Sequence, residues 1–162
     1  MGMGTWQSIP KVGPGDTIRS QYHNMIVDNL EWLKARVPSP FAIGSGYPGL
    51  DLAAGSRYLL MPFCPEASTG DPSQPIGPPL PFRARLSNLG ISASRNDLDK
   101  DSTATLYVEG QPTALSVTVP ATSAGVFWDS LHEAVAEAGA RVYLVLDLTQ
   151  ASTGSLRLGG WA

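Results

Sequence analysis

Charge is what this chain most lacks. Asp, Glu, Lys and Arg make up 15% of its 162 residues, against about a quarter in ordinary soluble proteins. A surface so thinly charged leaves apolar groups in water, and the expectation is that partners cover some of it. The formal charge is −3 and the eleven basic residues are scattered, so no clustered phosphate-binding face forms and no nucleic-acid partner is expected. No run approaches the roughly 20 apolar residues of a membrane span. "MGMGTWQSIP" has neither a basic start nor an apolar stretch, and the expectation is a protein made in the cytoplasm without export.

Reactive residues are equally scarce. Cys64 stands alone, which excludes an intrachain disulfide and a cysteine-based zinc site. In "MPFCPE" it has no basic or histidine neighbour, so it reads as a small packed residue. His23 and His132 do not fall in an H-x-x-x-H spacing, and no metal site is expected on them. G-x-S-x-G and G-x-x-x-x-G-K are missing, and "GSGYPG" (44–49) reads as a flexible turn region rather than a dinucleotide loop. Asp97, Asp99 and Asp101 alternate like the start of a calcium loop, but Ser102 stands where glycine is needed and Val108 where a bidentate Glu is needed. A loop joining two strands is the better reading. No carboxylate pair is singled out. We therefore expect no catalytic residue, no cofactor and no enzyme.

Glycine (17) and proline (14) are abundant instead, and they punctuate the chain. Residues 1–16 read as an extended arm. Asp16 stands as an N-cap, and 17–37 contain no Gly or Pro. At 100° per residue, Ile18, Tyr22, Ile26, Leu30, Leu33 and Val37 share one face, widened by Met25 and Trp32. Pro38 stops the helix. Asn29 interrupts the stripe, either bonding a neighbouring loop or fixing register where helices from several subunits meet. Residues 1–38 thus read as a segment of their own, an arm and one amphipathic helix.

From 39 to 162 the period changes to two. "SRYLLMPF" (56–63), "FRARLSNLGI" (82–91), "TATLYVEG" (103–110), "TALSVTVP" (113–120), "RVYLVLDLTQ" (141–150) and "GSLRLGGW" (154–161) read as strands. "VEGQPT" supplies a tight hairpin turn. In "RVYLVLDL" both faces are apolar, which implies cover on two sides. "DSLHEAVAEAGARV" suits a helix capped by Gly139 or an alternating strand with a tight turn; closure of the sheets favours the strand. Seven prolines between Pro62 and Pro81 make a stiff extended loop. It is either an arm on a neighbouring subunit, which we favour, or a flap over its own domain. The fold class expected is mainly β: an antiparallel jelly-roll-like β-sandwich preceded by an arm and one amphipathic helix.

"TWQSIPKVGPGDTIRSQYHNMIVDNLEWLKAR" (5–36) resembles the N-terminal segment of many tailed-bacteriophage virion proteins. There a Trp and a Pro precede a Gly-led turn and a helix with a late polar-then-leucine pattern, carried here by Asn24, Asp28, Asn29, Leu30 and Leu33. "TATLYVEGQPTALSVTVP" and "VAEAGARVYLVL" are similar to elements of the trimeric β-sandwich in phage head-fibre, decoration and minor tail proteins, with Glu109 where Asn is common and Ala140 where Asp is usual. The resemblance implies a homotrimeric capsid decoration or head-surface protein on the virion, held by its helix to the major capsid protein or other virion proteins. It implies an apolar helix face (Ile18, Tyr22, Met25, Ile26, Asn29, Leu30, Leu33, Val37) buried by other chains, worth on the order of 10 kcal/mol before ordering costs. The alternative is a tail-fibre or tail-tip module binding host carbohydrate, with Tyr107, Trp128 and Trp161 as candidate ligand aromatics.

Overall fold

The computed structural model describes residues 24–30 and 42–162. The chain divides between Phe41 and Ala42 into two units. In the first, 24–30 is helical as its apolar spacing predicts. The arm, the Asp16 cap, the stop at Pro38 and the face residues Ile18, Tyr22, Leu33 and Val37 lie outside the described residues.

The second unit is a β-sandwich of nine strands: β1 (Ser45–Ala53), β2 (Arg57–Leu60), β3 (Ala67–Thr69), β4 (Ala84–Asn96), β5 (Ser102–Val108), β6 (Gln111–Val119), β7 (Gly125–Ala136), β8 (Val142–Asp147) and β9 (Ser155–Trp161). One sheet runs β1-β9-β4-β7 and the other β3-β2-β8-β5-β6, with antiparallel pairing throughout. In β6 the expected alternation holds: Leu115, Val117 and Val119 are buried while Ser116 and Thr118 face water. Glu109 and Gly110 both have positive φ (49° and 80°) between the paired Val108 and Gln111, the backbone of a two-residue hairpin whose twist suits its strands. The segment that also suited a helix is strand through Ala136, and Gly139 turns the chain at φ 90°.

β8 is buried on both faces. Val142, Leu144 and Leu146 enter the main core between the sheets, with Leu60, Ile91, Leu156 and Leu158. Tyr143 and Val145 form a second cluster with Leu59 on the outside, packed against Ile76 and Tyr107. Ile76 belongs to the proline-rich loop, and the Tyr143 hydroxyl donates to the Pro72 carbonyl. The Leu80 N–H donates to Ala140 (2.8 Å) and the Gly139 N–H to Leu80 (2.7 Å). The favoured expectation, an arm on a neighbouring subunit, is therefore corrected: the loop covers its own sheet. Its ends are leashed to β2 and β4, and the second apolar face of β8 needs what it supplies.

"GSGYPG" is a second correction. It begins β1, with Tyr47 and Leu52 buried and irregular pairing between Gly46 and Leu50. β1 ends its sheet, and an irregular edge strand tolerates the Gly and Pro that suggested a turn.

Replacing Tyr143 with Phe keeps the ring and removes the bond to Pro72. The expected loss is about 1 kcal/mol in urea unfolding, with faster proteolysis within 64–78; an unchanged cleavage rate would show that the hydroxyl does not hold the loop.

Candidate functional site

β7 ends the sheet that β4 joins to β9. Phe127 and Asp129 turn inward, so Val126 and Trp128 stand outward by the period of two. The pairing with β4 then breaks between Ser87 and Leu89, where Asn88 takes φ 59°. Four steps of β7, from Asp129 to Glu133, face two of β4; within this bulge Leu131 is 87% exposed, and beyond it Val135 also faces out. Four large apolar side chains thus project from one strand.

Beside them the sheet is paved with small residues. Register aligns Gly46, Gly160, Ser92 and Val126 across β1, β9, β4 and β7. In the next row Gly90 pairs with Trp128 and exchanges backbone hydrogen bonds with Ala162 (2.7 and 3.1 Å). A Cβ on Gly90 would fall inside the Trp128 ring, so only glycine lets the indole lie against the sheet. Trp128 is nonetheless 62% exposed. It walls a trough of about 340 Å³ floored by these small residues. On the same sheet, Asp51 pairs with Arg157 and Arg95, Arg95 with Asp97, and Arg85 with Glu133.

Asp129 holds the strand in this rotation. Its buried carboxylate accepts from the Ser116 N–H of β6 in the opposite sheet (3.0 Å), from Leu131 N–H (3.1 Å) and from His132 N–H (3.2 Å). His132 Nδ1 lies 2.9 Å away. Burial works to raise the Asp129 pKa, but the Ser116 N–H, the His132 side chain and the other N–H groups outweigh it and hold it at about 2. Asp99 makes a similar clasp elsewhere. It accepts from Ser152 Oγ (2.6 Å), Ser152 N–H (2.9 Å) and Thr153 N–H (3.1 Å), and the Ser152 hydroxyl and these amides lower its pKa to about 2.

Of the aromatics proposed from sequence as ligand contacts, Trp128 and Trp161 border one trough and Tyr107 lies on the other sheet. Trp128 is outward. Trp161 is 5% exposed and part of the core, at the floor of the trough that Trp128 walls. The register breaks beyond Ser92 put Trp161 opposite Ile91, on the buried side. Tyr107 is half-buried in the other sheet, stacked on Tyr143 at 5.7 Å between ring centres. Sequence reasoning passed over Leu131 and Gly90, although "LGG" near the C-terminus and "NLGI" signalled close approach. In the helix Ile26 is 43% and Leu30 58% exposed, Met25 is half-buried and Asn29 is buried. Asp97 pairs with Arg95, and Asp101 accepts from the Ala121 N–H, so the three aspartates of "NDLDKDS" serve separate partners. Among the described residues, no group of three or more His, Cys, Asp and Glu could hold a metal ion, and no helix is long and apolar enough to cross a membrane.

No family model, no curated protein and no solved structure matches the chain.

The Asp129 clasp gives a pH prediction. A carboxyl held at about 2 when folded and near 3.9 when unfolded stabilises fully above about pH 4. That stability is lost as pH falls toward 2. Asp129→Asn is expected to cost on the order of 2 kcal/mol at neutral pH and to flatten the fall in stability between about pH 4 and 2. Chemical denaturation across pH checks both; parallel curves for the two proteins would assign the acid sensitivity elsewhere.

Proposed function

We propose that this chain is a structural protein of a tailed-phage virion, a homotrimeric capsid decoration or head-surface protein anchored by its helical segment. The β-sandwich is the part displayed. The single observation that carries the reading is the exposure of Ile26 and Leu30 on the helix face that the N-terminal resemblance assigns to attachment. Large aliphatic side chains turned to water on a helix are covered when a partner chain packs on them. The sheet orders β1-β9-β4-β7 and β2-β8-β5-β6, with β3 added at the edge, support the jelly-roll part of the proposal, since two interleaved Greek keys produce this exchange of strands between sheets. The sparse charge supports it too, because a surface meant for other virion proteins needs less water-facing polarity.

A second reading is favoured by one observation, the exposure of Trp128 beside its trough. An indole face next to a shallow groove suits a sugar ring, as in a tail-fibre or tail-tip module binding host carbohydrate.

Counting this chain against the major capsid protein by mass spectrometry of purified particles separates head from tail. A ratio near one supports decoration, and a handful of copies per particle supports the tail. Ile26→Asp and Leu30→Asp are expected to reduce incorporation into particles at least tenfold, each burying a charge in the contact. Full incorporation of both variants would remove the helix from the anchor.

A further inference from the structure

We infer that the outer face of the β1-β9-β4-β7 sheet is a self-association surface, occupied by the same face of a second copy of this chain. The inference rests on the homotrimer proposed above for its biological setting, though not for its chemistry: Leu131 of each copy enters the trough of the next around the three-fold axis. Leu131 projects almost wholly into water. The glycine-floored trough beside Trp128 has about 340 Å³ to receive a side chain, and Trp128 stands three residues before Leu131 on the same strand. Knob and hole therefore occur on one surface, so each copy can offer one to each of its neighbours.

The border favours a second copy over a charged partner. Arg85, Arg95 and Arg157 are matched by Asp51, Asp97 and Glu133 within the same chain. An identical border meets no like-charge repulsion, while a strongly acidic or basic partner finds no complement. The lining also disfavours a sugar. Ser45 Oγ is engaged with the Cys64 carbonyl at 2.7 Å, which leaves Ser92 as the hydroxyl in a lining otherwise of glycine and apolar residues. A sugar desolvated there would lose water from hydroxyls without replacement. An apolar side chain loses nothing.

Sedimentation velocity of the full chain over a wide concentration range tests this. The expected result is a discrete oligomer whose dissociation constant rises more than about tenfold in Leu131→Glu and in Val126→Lys. Both changes sit at exposed positions, and unchanged thermal unfolding of the monomer verifies that the sandwich is intact. A wild-type monomer at all concentrations overturns the inference, as does an oligomer indifferent to both substitutions. An oligosaccharide that quenches tryptophan emission of the monomeric wild type but not of Trp128→Phe overturns it in favour of a glycan. If only Ile26→Asp and Leu30→Asp dissolve the oligomer, the sheet face is wrong and the helix anchor stands. If self-association follows Leu131 while particles contain none of the chain, the virion reading fails and the surface stands.

Discussion

A buried carboxylate sets the terms for this sandwich. Asp129 lies in the seam between β6 and β7, the end strands of opposite sheets. Taking an ionised group out of water is costly unless donors replace the lost hydration. Three backbone N–H groups and the His132 ring do so. Side chains alternate along a strand, and a slip of one residue would turn every one of them over. Fixing Asp129 inward therefore commits Val126 and Trp128 to the outside. The apolar row on the surface is the consequence of a polar group in the interior.

That outward row is workable because the neighbouring strands have almost no side chains beneath it. Gly90 accepts the indole, and Gly46, Gly160 and Ser92 continue the floor. The irregular pairings in β4 and β9 do complementary things. The one at Asn88 spans the stretch from which Leu131 projects. The ones beyond Ser92 keep Trp161 inside with Ile91. Two tryptophans in adjoining strands thus take opposite fates, one in the core and one as a wall, without any difference in their chemistry.

These facts also explain what the sequence could and could not convey. The alternation of Leu115, Val117 and Val119, the two apolar faces of β8 and the Glu109–Gly110 hairpin are local signals, and the structure agrees with each. Alternation states a period but not which face is inside. In β7 the small Ala134 and Ala136 turn inward and the bulky Leu131 and Val135 turn out, because Asp129 and the bulge at Asn88 set the phase from a distance. Trp161 turns inward for a related cause: a bulge shifts parity, and bulges depend on pairing partners far along the chain. β1 was hidden because Gly and Pro in an edge strand look the same as Gly and Pro in a turn. Trp128 could be named from the sequence as a candidate, but its exposure and the floor that makes a trough beside it became visible only when four strands were aligned.

The two sheets differ in how their outer faces are treated, and this asymmetry bears most directly on function. Leu59, Tyr143 and Val145 would be a large apolar patch on the β3-β2-β8-β5-β6 sheet, but Ile76 and the proline-rich loop close over them. Proline suits that task because a stiff, pre-extended chain loses little conformational entropy when it lies down on a surface. The chain thus contains its own means of hiding apolar residues and uses it on one sheet. On the other sheet Trp128 and Leu131 remain exposed, as do Ile26 and Leu30 in the helical unit. Among the described residues, the cover lies on one sheet and not at these positions. With charge so sparse and the flanking arginines already matched by carboxylates of the same chain, burial of apolar surface is the recognition energy these faces have to offer, and it is on that energy that the assembly proposed above depends.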